Sequence, residues 1–436
     1  MSGTAESGGR FVIEGGVPIE GVVTPAGNKN EALPVLAASL LVSGETVVER
    51  VPRIADANAI LEILSRLGVR VSYECEDTVA LDASNLKQHD PDRRLCSEIR
   101  GSFLLAPGLL HRTGRAVLPR PGGDRIGRRR VDTHLLALKA LGAEVDASGS
   151  EYRIDLPGGR FRGAEIFLDE ASVMATENAV MAAAVAEGGS RIMNAACEPH
   201  VQGLCRLLVS MGASIRGIGT NFLEVEGVKA LAPTRHRIGP DHIEIGSFLA
   251  IAAMTRGSLR IKDVRADDLR MIRMVFRRLG VETTIEGADL IMPSSQSLEV
   301  VEDLHGAVPK VDDAPWPGFP ADLTSMALVL ATQAKGTVLI HEKMFESRLF
   351  FVDRLISMGA RVVLCDPHRA LVVGPSALHG AVMASPDIRA GMALVAAALC
   401  AEGQSVIMNA HQVDRGYERI DERLRQLGAR ISRVSP

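Results

Sequence analysis

The spacing of apolar side chains alternates along the chain between a helical period and a run typical of strands. In the segment 131–142, VDTHLLALKALG, Leu135, Leu138 and Leu141 recur at intervals of three and share one helical face. The glycine that follows is typical of a helix C-terminus, where a residue without Cβ adopts the left-handed conformation without strain. The β-branched run after it predicts a strand. The pattern therefore predicts helices that alternate with strands, which is an α/β class.

This helix–glycine–strand pattern occurs six times, at intervals of 68–79 residues. Its glycines are Gly68, Gly142, Gly212, Gly280, Gly359 and Gly428. A second pattern, a glycine followed by a β-rich run such as EGQSVIMNA, recurs in the same phase. Two independent patterns with one phase indicate six repeats, each of two helices and several strands. The period is too long for a solenoid and suits a βαβ-type unit.

The repeats are predicted to form two groups of three. A polar segment at 234–239, TRHRIG, separates the third repeat from the fourth, and we expect a hinge there. We also expect a cleft between the two halves, and the N-terminal strand RFVIEGG is predicted to complete the second group. The predicted domains are residues 1–27 plus 239–436, and residues 28–238 with a mobile Gly/Arg-rich loop at 119–134.

Composition limits the class of protein. Hydrophobic residues make up 46% of the chain and aromatic residues only 3%, so we expect cores of Ala, Val, Leu, Ile and Met. The low aromatic content and the net charge of −4 disfavour a nucleic-acid partner. The sequence has neither a signal-peptide pattern nor an apolar run long enough to span a bilayer. Six cysteines without a Cys-x-x-Cys pair are typical of free thiols. We therefore expect a cytoplasmic protein with no membrane partner, and its oligomeric state is left open.

The segment PRPGGDRIGRRRVDTH, at 119–134, is unusually rich in glycine and arginine. Gly122, Gly123 and Gly127 favour a mobile loop. Its arginines are Arg120, Arg125, Arg128, Arg129 and Arg130. Because a guanidinium group forms paired hydrogen bonds with phosphate oxygens, the loop is predicted to bind an anion rather than to be only a solvated surface loop.

Other charged residues precede or begin predicted helices. AGNKNEALP places Lys29 and Asn30 at a helix N-terminus, a favourable position for an anion. Later segments contribute Asp322, Glu346, Arg348, Asp387, Arg389, Asp414, Arg415 and Arg419. Singly, each is typical of a helix cap or an ion pair. Because they occupy corresponding loop-to-helix positions of the repeats, together they indicate a common cleft.

Nine segments, in order along nearly the whole chain, resemble the UDP-N-acetylglucosamine 1-carboxyvinyltransferases of the enolpyruvyl transferase family. They include GNKNEALP, PGGDRIGRRRVDTH, DEASVMATENAVMAAA, FPADLTSMALV, SPDIRAGMALV and VDRGYERIDERLRQLGA. The resemblance implies two inside-out α/β barrels, each of three βαβαββ units. It implies transfer of the enolpyruvyl group of phosphoenolpyruvate to the 3-hydroxyl of UDP-N-acetylglucosamine, with release of phosphate. That reaction is the first committed step of peptidoglycan precursor synthesis, and it requires no cofactor and no metal.

The resemblance also implies roles for individual residues. Asp322 is the implied base near the sugar hydroxyl, Asp124 the acid that protonates the enol methylene, and Lys29 a further catalytic residue. The residues implied to surround phosphoenolpyruvate are Lys29, Asn30, Arg129, Arg348, Arg389 and Arg415. Those implied to bind the UDP-sugar are Asn30, Arg100, Arg129, Val131, Asp132, Thr133, Ser172, Val173, Asp322 and Met344. Asp387 and Glu346 are implied to support them.

Three positions depart from the usual pattern of that family. Asp124 stands where most members have Cys, Arg130 where Pro is usual, and Met174 where Gly is usual. Because the antibiotic fosfomycin alkylates that cysteine, we expect this chain to be insensitive to it. Arg130 and Met174 lie near the expected nucleotide, so the acceptor stays open.

The alternatives are of two kinds. One is an enolpyruvyl transferase with another acceptor, either shikimate 3-phosphate or a nucleotide such as UMP. The early Ser-Lys-Ser type segment of 5-enolpyruvylshikimate 3-phosphate synthase is absent, and GNKNEALP stands in its place. The other is a catalytically dead scaffold paralogue, which the retention of several separated charged residues disfavours.

Overall fold

The computed structural model describes residues 9–86, 88–124 and 126–435, which form two compact units. The described residues of the first unit are 9–26, 124, 126–128 and 240–435, and those of the second are 27–86, 88–123 and 129–239. Each unit has its own hydrophobic core. Arg125, one of the loop arginines, lies outside the described residues.

The elements alternate along the chain as the sequence pattern predicts. The strands are β1 Arg10–Glu14, β2 Gly21–Val23, β3 Glu45–Glu49, β4 Arg70–Cys75, β5 Thr78–Asp82, β6 Arg115–Pro119, β7 Glu144–Asp146, β8 Glu151–Asp155, β9 Glu165–Phe167, β10 Gly189–Met193, β11 Ser214–Arg216, β12 Phe222–Glu226, β13 Arg235–Arg237, β14 Leu259–Ile261, β15 Thr284–Glu286, β16 Asp289–Met292, β17 Lys310–Asp312, β18 Gly336–His341, β19 Val362–Asp366, β20 Arg369–Gly374, β21 Val382–Ala384, β22 Gln404–Met408 and β23 Arg430–Val434. The helices are α1 Lys29–Ala38, α2 Ala55–Arg66, α3 Arg93–Glu98, α4 Ala106–Thr113, α5 Asp132–Ala140, α6 Val173–Ala184, α7 Pro199–Ser210, α8 His242–Met254, α9 Arg270–Arg278, α10 Thr324–Gln333, α11 Val352–Ser357, α12 Ile388–Cys400, α13 His411–Asp414 and α14 Ile420–Gln426. Short 3-10 helices span Ser39–Leu41, Arg100–Leu105, Ala266–Leu269, Leu304–Gly306, Ala321–Leu323 and Arg348–Phe351.

The repeat glycines behave as the sequence predicts. All six have φ between 80° and 108°, the left-handed region that favours glycine. Each follows the last residue of a helix by two positions, and a strand begins shortly after it. The helices that end in this way are α2, α5, α7, α9, α11 and α14. The α/β class and the six-fold repeat are therefore confirmed.

Each repeat contributes one small sheet. In the described residues of the first unit the strand orders are β21-β22-β1-β23, β15-β16-β14-β2 and β17-β18-β20-β19. In those of the second unit they are β13-β3-β5-β4, β6-β8-β7 and β11-β12-β10-β9. The β6 sheet has three strands in the part of the chain that is described, and Val117 of β6 donates a backbone hydrogen bond of 3.0 Å to the carbonyl of His89 in place of a fourth.

Two strands lie far in sequence from their neighbours. The N-terminal strand β1 pairs antiparallel with both β22 and β23, so it completes the sheet of the last repeat. Part of the polar segment at 234–239 is strand β13, which runs parallel to β3 and pairs Arg235 with Val47. Arg235 also forms ion pairs of 2.8 and 2.9 Å with Glu49 and Glu74. A three-residue strand of charged side chains carries no apolar alternation, which is why its sequence reads as a break.

The central helices of each unit are apolar on all sides. Every residue of α8 is buried, and α8 packs against α10 and α12 inside the first unit. In the second unit α6 packs against α4 and α1. A helix without a polar face must be enclosed, so the sheets lie outside these helices and expose one face to solvent. The buried residues are mostly Ala, Val, Leu, Ile and Met, as the low aromatic content predicts.

One buried ion pair ties α14 to α8. Glu244 accepts hydrogen bonds of 2.7 and 2.8 Å from the two terminal nitrogens of Arg423, and another of 2.9 Å from the backbone N–H of Ala26. The guanidinium group of Arg423 lies 5.0 Å from the ring centroid of Phe248. The side chain of Glu244 is 3% exposed, and Arg423 is the cation that compensates its negative charge in this buried site.

We expect Glu244→Ala to lower the free energy of unfolding by about 3–5 kcal/mol, because it leaves the charge of Arg423 uncompensated in a buried site. Urea denaturation measures this change. The matched control is Glu14→Ala, which removes the exposed 3.3 Å pair with Arg430 and should cost no more than about 1 kcal/mol. Equal losses for the two variants would show that the buried pair is not a stabilising contact.

Candidate functional site

Asp322 lies at the centre of a charged cluster in the first unit. It stands in the 3-10 helix Ala321–Leu323, directly before α10. Its Oδ1 accepts a hydrogen bond of 3.1 Å from Nη2 of Arg348. Its Oδ2 accepts one of 3.0 Å from Nε of Arg389 and forms an ion pair of 2.8 Å with Nη2 of the same residue. The arginine side chains are only 2% and 6% exposed, against 27% for Asp322. One carboxylate therefore bridges two buried guanidinium groups.

Arg389 retains a hydrogen-bond donor for an anion. Burial disfavours its charge, but Asp322, Tyr417 and Asp241 together more than offset this, so the pKa of Arg389 lies above its ordinary value. Its Nη1 is buried and makes no hydrogen bond within the described residues. The guanidinium group also lies 5.3 Å from the ring centroid of Tyr417. Such a donor is suited to a phosphate or carboxylate oxygen.

Asp387 fixes the backbone that carries Arg389. As the N-cap of α12, its Oδ1 accepts hydrogen bonds of 2.8 and 2.9 Å from the backbone N–H groups of Arg389 and Ala390. Burial raises the pKa of Asp387 above its ordinary value. Its contacts are those of a helix cap, which orients Arg389.

Asp124 and Arg415 form the second ion pair of this cluster. Nη1 of Arg415 donates to Oδ1 of Asp124 at 2.5 Å and to Oε1 of Gln412 at 3.2 Å. The two charged side chains are 16% and 15% exposed. A carboxylate and a guanidinium group predicted to be functional are thus brought together.

Glu346 holds the loop residues that follow Asp124. Its Oε2 accepts a hydrogen bond of 3.1 Å from the backbone N–H of Arg128, and the N–H of Ser347 donates to the carbonyl of Ile126 at 3.1 Å. Gly127 lies between these contacts with φ of 128°, and a Cβ there would come within 2.0 Å of the Glu346 carboxylate. Glycine is therefore required at this position.

In the second unit, Arg100 and Arg129 bring two positive charges together. Burial, followed by the charge of Arg129, lowers the pKa of Arg100 to about 10. Burial and the same two arginines lower the pKa of His134 to about 3, so this imidazole is neutral at physiological pH. Its Nδ1 lies 3.0 Å from the side-chain amide nitrogen of Asn178. Two neighbouring guanidinium groups can both donate hydrogen bonds to one phosphate, so this pair is suited to that anion.

The residues after Arg129 are joined by Asp169. Arg130 forms ion pairs of 3.2 Å with Asp132 and 3.1 Å with Asp169, and Thr133 donates a hydrogen bond of 2.7 Å to Asp169. The carbonyl of Arg130 accepts a bond of 2.6 Å from Arg100. Asp169 lies shortly after β9. The sequence does not single it out, because an aspartate is an ordinary residue in a loop.

Several predicted residues of the second unit lie at helix N-termini. Val131 and Ser172 are the N-cap residues of α5 and α6, and Val173 is the first residue of α6. Oγ of Ser172 accepts a hydrogen bond of 3.4 Å from the N–H of Ala175. Met174, the next residue of α6, is partly buried against the core of this unit. The backbone N–H groups of such termini favour anions.

Lys29 forms an ion pair that the sequence does not reveal. Its Nζ lies 2.8 Å from Oδ2 of Asp56, with side chains 9% and 6% exposed. Lys29 begins α1, Asn30 follows it half-buried, and Asp56 lies in the first turn of α2. Asp56 is preceded by a hydrophobic residue and resembles an ordinary first-turn carboxylate, so only the fold identifies it as the partner of Lys29.

Met344 is also predicted to be functional, and it lies in the first unit. Its side chain is 38% exposed, and its backbone N–H donates a hydrogen bond of 3.2 Å to Asp313. Across the described ranges, no group of three or more His, Cys, Asp or Glu residues is arranged to hold a metal ion. None of the described helices combines the length and the apolar character that a membrane span requires.

The surface of the second unit also has a depression of about 580 Å³, on the outer face of the sheet β11-β12-β10-β9. It is lined by backbone at Gly163 and Gly189 and by charged side chains such as Arg191, Arg216 and Glu224. It contains none of the predicted site residues. The depression is therefore not part of the candidate site.

Known proteins resemble this chain over nearly its full length. The family model for EPSP synthase (3-phosphoshikimate 1-carboxyvinyltransferase) matches residues 13–424. A UDP-N-acetylglucosamine 1-carboxyvinyltransferase of Bradyrhizobium diazoefficiens is 53% identical over 98% of this chain and 98% of its own length. A protein of the same name from Treponema denticola is 52% identical over 97% of this chain and 98% of its own length.

Solved structures agree with the fold. The enolpyruvyl transferase NikO from Streptomyces tendae superposes with a TM-score of 0.87 at 24% identity, over 99% of this chain and 100% of that one. EPSP synthase from Acinetobacter baumannii superposes with a TM-score of 0.74 at 19% identity, over 98% of this chain and 100% of that one. The expected architecture, inside-out α/β barrels built from repeats, is confirmed. The chain therefore belongs to the EPSP synthase (3-phosphoshikimate 1-carboxyvinyltransferase) family of enolpyruvyl transferases.

Proposed function

We propose that this chain transfers the enolpyruvyl group of phosphoenolpyruvate to the 3-hydroxyl of UDP-N-acetylglucosamine and releases phosphate. The names of the relatives at 53% and 52% identity support this acceptor. The observation that carries the proposal is the bridge of Asp322 between two buried guanidinium groups. It combines a carboxylate for a hydroxyl proton with cations for an anionic substrate.

The reaction needs proton transfer at two atoms. The hydroxyl oxygen of the sugar forms a bond to C2 of phosphoenolpyruvate while the methylene carbon takes up a proton. The bond from C2 to the phosphate oxygen then breaks, and a proton leaves the methyl carbon to restore the double bond. We assign Asp322 to the hydroxyl proton and Asp124 to the proton at carbon. Lys29 and the site arginines stabilise the anionic groups.

Phosphoenolpyruvate would compete with Asp322 and Asp124 for their arginine partners. Arg389 and Arg348 hydrogen-bond to Asp322, and Arg415 hydrogen-bonds to Asp124. A phosphate or carboxylate group that binds these arginines draws hydrogen bonds away from the aspartates. Substrate binding would thus leave the oxygens of each aspartate available for proton transfer.

We propose that the second unit supplies the nucleotide-sugar contacts of the same reaction. The adjacent charges of Arg100 and Arg129 suit a diphosphate, and the N-termini of α5 and α6 offer backbone N–H groups. Arg130 is engaged by Asp132 and Asp169, so its guanidinium group orders the segment that precedes α5. Asn30 of this unit is assigned a contact with the sugar, and Met344 is separately assigned a contact with the UDP-sugar.

We also propose that the reaction takes place in the cytoplasm as a step of peptidoglycan precursor synthesis. All six cysteines lie in the described residues as free thiols. Free thiols are favoured in a reducing compartment. The relatives that support the acceptor also support this role in cell-wall biogenesis.

The acceptor is tested by phosphate release. The purified protein is incubated with phosphoenolpyruvate and one of three acceptors: UDP-N-acetylglucosamine, shikimate 3-phosphate or UMP. We expect release with UDP-N-acetylglucosamine alone. Release with another acceptor and not with this one would overturn the assignment, and release with none would favour a scaffold protein.

Asp322→Asn is expected to lower kcat by about 10²–10⁴-fold, because an amide cannot accept the hydroxyl proton. Binding of UDP-N-acetylglucosamine, measured by calorimetry, should change little. The matched control is Asp267→Asn, since the Asp267 side chain is 82% exposed and lies in the same unit. Near-normal turnover of Asp322→Asn would exclude Asp322 as the base.

Fosfomycin is expected to leave the wild-type protein unmodified, because residue 124 is a carboxylate rather than a thiol. Intact-protein mass spectrometry after incubation measures this. Asp124→Cys should acquire a single adduct, which peptide mapping assigns to position 124. A mass increase of the wild-type protein would contradict the expectation.

A further inference from the structure

Glu342 is a buried carboxyl group that the proposed chemistry does not use. It directly follows β18 and has no solvent exposure. Its backbone N–H donates to the carbonyl of His368 at 2.8 Å, and its own carbonyl lies 2.7 Å from Nδ1 of the same histidine. The backbone of Glu342 is therefore held at both its N–H and its carbonyl group, which fixes the direction of its Cα–Cβ bond.

The side chain of Glu342 faces Arg348. Its Oε1 accepts a hydrogen bond of 3.2 Å from the N–H of Phe345, and its Oε2 lies 3.7 Å from Nε of Arg348. Within the described residues neither Oε2 nor that Nε makes a hydrogen bond. The ring centroid of Phe345 lies 4.9 Å from the guanidinium group. Arg348 is thus held between Glu342, this ring and Asp322.

Other ionisable and polar groups also surround Glu342. Asp313 and Thr324 lie beside its carboxyl group, whereas Lys343 is engaged with Asp312 at 2.6 Å. Burial raises the pKa of Glu342 to about 8; Arg348 opposes this increase and Asp313 adds to it. Glu342 is therefore largely protonated at neutral pH. Asp322 is then the anion with which the guanidinium group of Arg348 interacts.

We propose that Glu342 is a positioning residue that sets how Arg348 divides its charge between Glu342 and Asp322. This inference rests on the proposed function, in which Asp322 is the base and Arg348 binds phosphoenolpyruvate. A neutral Glu342 leaves the guanidinium group to Asp322 and the substrate. An ionised Glu342 attracts Nε of Arg348, which makes no hydrogen bond to any described residue, and so weakens the hydrogen bond to Asp322.

The pH dependence of turnover tests this division of charge. We expect kcat/KM for phosphoenolpyruvate to fall about fivefold to tenfold in the wild type as Glu342 ionises, mainly through KM. Glu342→Gln stays neutral at every pH and should lack this fall. Glu402→Gln, whose side chain is 86% exposed, is the control and should retain it. A Glu342→Gln profile that falls like that of the wild type would overturn the proposal.

A double-mutant cycle in the free energy of unfolding tests the same coupling without turnover. Near pH 9, at about one unit above the pKa, the effects of Glu342→Gln and Asp322→Asn should be non-additive, because both carboxylates then compete for Arg348. At mildly acidic pH the effects should add, and Arg348→Met should abolish the coupling. Additivity at both pH values would overturn the positioning role.

The two measurements separate the two proposals. If coupling is present but phosphoenolpyruvate is not turned over, the proposed function fails and the interaction of Glu342 with Arg348 stands. Stability gives a further control. Because the pKa is raised from 4.5 to about 8, the stability of the wild type relative to Glu342→Gln should decline between these values and level off above them.

Discussion

Enclosure of helices that have no polar face is the constraint on which each unit depends. The helices α8, α10 and α12 of the first unit are buried along almost their whole length, so their sides have no room for charged groups. The sheets cover their sides, and polar groups must gather at the termini. Asp322 precedes α10, and Asp387 and Arg389 begin α12. In the second unit, Lys29 begins α1 and Ser172 precedes α6. The candidate site residues therefore lie at the helix N-termini, where the packing can accommodate charged side chains.

Helix termini also bring an electrostatic preference. The N-terminal end of a helix carries exposed backbone N–H groups and a partial positive charge, which adds to the charges of arginine and lysine. The same location explains why carboxylates such as Asp387 serve as caps. The helix N-termini thus provide both a positive potential for an anionic substrate and the backbone N–H groups that polar side chains cap.

Much of the fold could be predicted because its signals are local. A glycine two residues after a helix and a β-rich run require no knowledge of distant contacts, and all six copies occur as predicted. β13 was less evident, because three charged residues have no apolar period. The partners of the site residues were harder still. Asp56, Asp169 and Glu342 are ordinary carboxylates in sequence, and only tertiary contacts bring them to Lys29, Arg130 and Arg348.

The topology of the first unit has a consequence for the order of synthesis. Its strands β1 and β2 are made first, but β1 pairs with β22 and β23, and β2 pairs with β14. The described residues 27–86, 88–123 and 129–239 of the second unit are made between β2 and β14. A nascent chain can therefore complete the core of the second unit while these two N-terminal strands still lack their neighbours. The sheet that contains β1 closes only after β23 has left the ribosome.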